Sequence, residues 1–221
     1  MILLALVLAA APAGKITGKV TLAGLAPKLP PLPVTRDIKI CGTSKPDESL
    51  VVGPGGGVKD AVIWLTDLPA PEAAKKEGGK KVKLDQEACA FTPHTLVVPA
   101  GATVDVVNSD SVLHNVHAFL GSTTAFNYSM PIKGHTVPTR LKKEGFYRVA
   151  CDVHPWMHGW IVVLPTAAWA VSKEDGSFVL DGVPAGKHHL KLWHERLGDR
   201  EGDVEVLADG AAKFDVQLNP R

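Results

Sequence analysis

Between Val82 and Pro165 the chain is broken at short intervals by turn residues, and no stretch long enough for a helix carries a helical apolar period. The runs VKLD, TLVV, ATVDVVN, VLHNVHAF, HTVPTRL, FYRVAC and GWIVVLP are short and rich in β-branched and aromatic residues. A chain punctuated this way stacks short strands and cannot pack long helices. We therefore expect a series of strands here, with Pro99-Ala100-Gly101 turning a hairpin and residues 122–130 forming a loop. The 21 glycines and 17 prolines among 221 residues agree, since together they exceed the usual share of roughly 12%.

After Pro165 the rhythm changes. Alternating apolar runs are separated by Glu174-Asp175-Gly176 and Asp209-Gly210, which are turn signals. This tail is thin for a self-sufficient sandwich, and the early runs KITGKVTL and DAVIWLT have no evident partner of their own. The expected fold class is all-β: one barrel or sandwich, plus a second, smaller β-sandwich split by insertion of the first. Residues 14–70 and 166–221 would form the split unit, 81–165 the inserted one, and the Lys-rich stretch 71–80 a linker. Hydrophobic residues make up 45% of the chain, enough for a real core, so disorder is excluded. Lys and Arg number 24 against 23 Asp and Glu, which leaves no basic surface for phosphate neutralisation, and no nucleic acid is expected as a partner.

Residues 1–13, MILLALVLAAAPA, are an apolar run ending in a small-x-small cleavage pattern, with no Lys or Arg before it. The run is too short for a stable membrane span, which needs about 20 apolar residues. It reads as a secretory signal peptide, placing the mature protein in the periplasm or outside the cell. Three cysteines follow. In an oxidising compartment Cys41 and Cys89 can form one disulfide, leaving Cys151 single; three reduced, buried cysteines is the alternative for a chain kept in the cytoplasm.

Five of the nine histidines fall between positions 114 and 158. In the run from Val149 to Gly159, Cys151, His154 and Met157 follow one another at three-residue intervals in a tight loop between two strand-like runs. Such a loop can aim thiol, imidazole and thioether at one point, and His114 is the candidate for a fourth donor from another strand. Thiolate, two imidazoles and a weak thioether form a soft, mixed set. It suits copper cycling between Cu(I) and Cu(II) better than zinc, while calcium and magnesium want oxygen donors. His117, three residues from His114, belongs on the opposite strand face and is assigned to structure or surface. His135 and His158 are assigned to the surface, His94 to a structural role, and His194-Glu195 to a strand-end polar pair.

The stretch 81–165 resembles the cupredoxins, the blue-copper electron-transfer domains. The residues that carry the resemblance are Phe91-Thr92-Pro93, the run from Leu96 to Asn108, His114-Asn115-Val116-His117, and Gly145 through Cys151 to Met157. The C-x-x-H-x-x-M spacing is similar to that of amicyanin-type ligand loops. The resemblance implies a Greek-key β-barrel holding one copper ion by His114, Cys151, His154 and the weak axial Met157. It implies that Asn115 hydrogen-bonds across to the ligand loop and donates its backbone N–H to the Cys151 sulfur. It further implies that His154 presents its ring edge near solvent as the electron port, with Pro155 and Trp156 forming the docking surface around it.

The run from Asp175 to Gly186, continuing through His189 to Trp193, resembles the carboxypeptidase regulatory-like β-sandwich, related in fold to transthyretin. Gly18 to Val20 and Asp60 to Leu65 fit its first half. That unit brings no catalytic residues and implies docking or scaffolding. Together the two resemblances imply an exported one-electron carrier, not an enzyme, with a redox protein such as a c-type cytochrome or a periplasmic dehydrogenase as partner. The alternatives are a copper sequestration or delivery protein, and a carbohydrate- or protein-binding sandwich with a non-redox middle domain.

Overall fold

The computed structural model describes residues 13–68 and 82–220. The expected signal peptide, apart from Ala13, and the expected linker at 71–80 lie outside the described residues. The chain is all-β. It begins with β1 (Ala13–Leu22), β2 (Leu32–Pro33), the single-turn helix α1 (Ile38–Cys41), β3 (Ser44–Lys45) and β4 (Val62–Leu65). The middle holds β5 (Val82–Glu87), β6 (Ala90–Thr92), β7 (Thr95–Pro99), β8 (Thr103–Asn108), β9 (His114–Leu120), β10 (Thr123–Met130), β11 (Thr136–Arg140), β12 (Gly145–Ala150) and β13 (His158–Leu164). The last part runs through β14 (Trp169–Val171), β15 (Ser177–Pro184), β16 (Gly186–His194), β17 (Gly198–Val206), β18 (Ala211–Lys213) and β19 (Val216–Leu218). No helix among the described residues is long and apolar enough to cross a membrane.

The middle strands stack as two sheets. One has the order β10-β9-β12-β13-β7, the other β11-β8-β5-β6. Their inward residues, among them Leu84, Phe91, Val106, Val116, Val149 and Ile161, form one core. The remaining strands form a second stack in which β1 pairs with β15 while β4 lies between β14 and β16, so strands far apart in sequence share sheets. Ile16, Val20, Ile63, Leu65, Phe178 and Leu190 fill its core. Glycine is required at position 18, where a Cβ would come within 2.0 Å of the Phe214 carbonyl oxygen.

Period-2 alternation explains how the stacks join. In β13, Ile161 and Val163 enter the middle core, while Val162 and Leu164 face the other way. In β4, Ile63 and Leu65 enter the other core while Val62 and Trp64 face outward. The outward residues meet in a third cluster, Val62, Val97, Val162 and Leu164, flanked by Phe146, Trp169 and Trp193. Each such aliphatic side chain contributes about 1.5–3 kcal/mol on burial, so the two stacks are held by an apolar seam.

Two findings depart from the sequence expectations. Residues 123–130, expected as loop, form β10, an antiparallel edge strand on β9 with a bulge near Thr124. Its solvent face carries Thr, Asn and Ser, which masked the alternation of Phe126, Tyr128 and Met130. The segment 32–45, grouped by sequence with the split sandwich, sends Val34 and Cys41 into the middle core, with Leu32 packed against it.

Candidate metal centre

The site begins with the loop between β8 and β9. Asn108 is fully buried. Its side-chain amide donates to the Val112 and Met130 carbonyls at 3.0 and 2.8 Å, and its Oδ1 accepts the Asp110 N–H at 2.9 Å. This fixes the entry to β9 and sets His114 as its first residue. Asp110 in turn accepts the N–H groups of Ala88 and Cys89 at 2.9 and 2.7 Å. Those two residues turn the β5–β6 hairpin with φ of 50° and 54°, a left-handed pair that costs non-glycine residues roughly 1–2 kcal/mol each. The Asp110 carboxylate offsets that cost and also lies 2.9 Å from His114 Nε2.

The ligand loop joins β12 to β13. It is closed by Cys151 N–H donating to Met157 O at 3.2 Å and Met157 N–H to His154 O at 2.9 Å. Asn115 ties it to β9: its Oδ1 accepts the Asp152 N–H at 2.6 Å, its side-chain N–H reaches Asp152 Oδ2 at 2.8 Å, and its backbone N–H points at Cys151 Sγ at 3.5 Å. His117, half-buried, bonds Asp152 at 3.1 Å and Thr124 at 2.9 Å. Burial pushes the Asp152 carboxyl up, but hydrogen bonds from His117, Asn115 and Asn127 outweigh it and hold it below its ordinary value.

The fold brings three expected residues to one point. One donor atom each from His114, Cys151 and His154 lies within 4.8 Å of the others, and all three residues are buried. The two Nδ1 atoms face each other at 2.8 Å, and Cys151 Sγ lies 3.8 Å from His154 Nδ1. Met157 is buried in the same core as Cys151. Cys89 and Asp110 also lie close to His114, but Cys89 is joined to Cys41 at 2.01 Å and offers no thiolate. Cys151 is the free cysteine among the described residues.

The outer edges of both imidazoles are occupied by carboxylates: Asp110 on His114, and Asp37 on His154 at 2.8 Å. Such pairs fix the tautomer with the proton on Nε2 and leave the Nδ1 lone pair free. Burial lowers the His114 pKa against the pull of Asp110, and the neighbouring His154 lowers it further. Two neutral Nδ1 lone pairs at this separation repel unless a proton or a cation lies between them. Together with the adjacent thiol, the donor set fits copper.

The expected port and docking surface are corrected here. His154 is fully buried and Trp156 only 6% exposed; Pro155 alone of the three is exposed. The cause is the segment 32–45. Asp37, the residue just before helix α1, covers His154, and the end of the helix is bonded through Cys41 to Cys89. The Trp156 ring lies 4.9 Å from His154, and its indole N–H donates to the Cys89 carbonyl at 3.2 Å. Sequence reasoning missed Asp37 because a lone Asp in a Pro-rich stretch carries no local signal. His158, assigned to the surface, is half-buried, and His94 packs edge-on against it at 5.3 Å.

Residues 79–164 match the family model described as copper binding proteins, plastocyanin/azurin family. No curated protein matches the chain. Among solved structures, amicyanin from Paracoccus versutus is 25% identical over 46% of this chain and 97% of its own, with a TM-score of 0.35. The copper-containing nitrite reductase from Thermus scotoductus SA-01 is 25% identical over 43% of this chain, with a TM-score of 0.35. The match spans 25% of that reductase's length.

Proposed function

We propose that the chain is an exported type 1 copper protein that carries single electrons between redox proteins. In this reading His114, Cys151 and His154 hold one copper ion, with Met157 as the weak axial ligand. When bound, copper supplies a one-electron couple between Cu(I) and Cu(II). The observation that carries the reading is the convergence of two Nδ1 atoms and a free thiol inside a buried pocket, in the part of the chain that matches a copper-binding family.

The chain's own residues have defined tasks here. Asp110 and Asp37 keep the imidazoles in one tautomer and orientation. The Asn115 backbone N–H stabilises negative charge on the Cys151 sulfur, and its side chain stops the loop from opening. Trp156 and the disulfide-held segment exclude water. The route to the surface passes from His154 through its hydrogen bond to Asp37, whose side chain is 43% exposed. A rigid β scaffold keeps reorganisation small. A sequestration or delivery role would want an accessible, labile site, and the burial of all three donors argues against it.

Apart from the segment 32–45, residues 13–68 and 166–220 are read as one sandwich into which the middle unit is inserted, on the pairing of β1 with β15 and of β4 with β16. Its role would be docking or scaffolding. Limited proteolysis releasing one compact middle fragment would support the insertion, and separable terminal fragments would overturn it. The test of function is visible absorption and electron-spin resonance after adding one equivalent of Cu(II). A strong thiolate-to-copper band with narrow hyperfine splitting supports the reading; a pale solution with an ordinary tetragonal signal overturns it.

A further inference from the structure

A second group of donors lies where the two stacks meet, outside the centre described above. His94 is buried in the β6–β7 connection, His158 opens β13, and Glu195 sits in the turn between β16 and β17. One donor atom from each lies within 4.8 Å of the other two. His94 Nε2 bonds directly to Glu195 Oε1. Gly159 permits this approach: a Cβ there would stand 2.7 Å from the His94 carbonyl oxygen. That carbonyl accepts the Trp160 N–H at 2.8 Å, docking the His94 loop onto β13.

The surroundings orient these groups as outer partners orient metal ligands. The other Glu195 oxygen accepts the Trp160 indole N–H at 2.8 Å. His158 Nδ1 lies 3.2 Å from the Trp156 carbonyl, an acceptor only, so Nδ1 carries the proton and Nε2 keeps its lone pair. A cavity of about 40 Å³ opens beside His94 and His158, also lined by Lys45, Glu48 and Met157. That is room for an ion with a water, since one water needs about 10–15 Å³ on this measure. Two further carboxylates stand in this region, each with a basic partner: Asp60, 3.5 Å from Lys59 Nζ, and Asp47, whose Oδ1 lies 3.8 Å from His158 Nε2 and whose Oδ2 lies 3.7 Å from Arg196 Nη1.

We propose that His94, His158 and Glu195 form a second metal site, for a divalent ion of the zinc type, that clamps the middle unit to the outer sandwich. Two imidazoles and one carboxylate leave a fourth position open toward the cavity for water. A tetrahedral ion with bonds near 2.0–2.1 Å wants its donors about 3.3 Å apart. Small side-chain rotations complete that geometry, and the proton shared by His94 and Glu195 is released on binding. The site has no thiolate, so an ion in it leaves the blue chromophore unchanged. It joins elements 101 positions apart in sequence.

The experiment uses untagged protein given Cu(II) only to the end-point of its thiolate-to-copper band, cleared of other copper by a weak chelator, dialysed against micromolar Zn(II) and assayed for both metals. The expected result is one zinc per chain with the absorption band intact, and loss of that zinc in both Glu195→Gln and His158→Gln. Absence of bound zinc in the wild-type protein overturns the proposal, as does zinc retained by both variants. Should the band not form, the same zinc assay on Cys151→Ser decides the second site independently of the first. If Glu195→Gln does not fold, His158→Gln, which lies at a half-exposed position, still answers the question.

Discussion

Asp37 lies 2.8 Å from Nε2 of His154, across 117 positions of chain. It stands between the buried imidazole and water. Replacing it by alanine removes both the hydrogen bond and the cover. Copper affinity should fall about 10–100-fold, the usual effect of deleting a partner that orients a metal ligand. Chelator competition measures the affinity, and an unchanged constant would mean that Asp37 only decorates the surface.

Replacement of Met157 by leucine should keep copper and raise the reduction potential, because a weak thioether donor is exchanged for hydrocarbon of similar volume. Redox titration followed at the thiolate band reads the change. Loss of copper, or an unmoved potential, would remove Met157 from the ligand set.

Asp110 serves two masters: the left-handed Ala88–Cys89 turn and the His114 ring. Asp110→Asn can accept only part of these bonds and should destabilise the metal-free protein by about 1–3 kcal/mol. Asp110→Ala should do worse. Urea denaturation in the presence of a chelator provides the comparison, and equal stability of wild type and both variants would contradict the role.

The Cys41–Cys89 bond closes a loop spanning 48 positions. Chain-entropy reasoning gives it about 4 kcal/mol of stabilisation. The double variant Cys41→Ser/Cys89→Ser should lose stability on that order in urea, and its His154 region should become accessible to amide hydrogen exchange. Unchanged exchange near His154 would show that the segment stays in place without its staple.

Asp67 gives the pH prediction. Burial pushes its carboxyl up, but hydrogen bonds from His188, its own backbone and the His189 N–H outweigh this and depress it. A depressed folded-state carboxyl stabilises the protein above its unfolded value near 3.8, and that stability is lost as pH falls through the folded value. The stability gap between wild type and Asp67→Ala should therefore be full at neutral pH and shrink in acid below that value. A gap independent of pH would refute the pairing.

The parts of the centre that lie within short runs were legible in the sequence. The positions of His114 and of the 151–157 loop follow from the strand-like runs on either side of them and from the C-x-x-H-x-x-M spacing that carries the cupredoxin resemblance. Most strands of the two stacks were legible in their alternating runs; β10, whose exposed face is polar, and the three-residue β6 were not. What covers the centre was not legible. Asp37 acts through a contact between elements more than a hundred positions apart, as do His94 and Glu195 away from the centre, and a single polar residue in a connecting segment leaves no periodic trace. The inward packing of Val34 and Cys41 was hidden likewise, because proline-rich sequence reads as loop whether or not it lies on a core.

The staple formed by Cys41 and Cys89 acts on both sides of the centre. It ties the flap carrying Asp37 to the hairpin that Asp110 holds, so both approaches to the imidazoles are shut by one covalent event. Reduction of that single bond should therefore loosen the carboxylate partners of both imidazoles together.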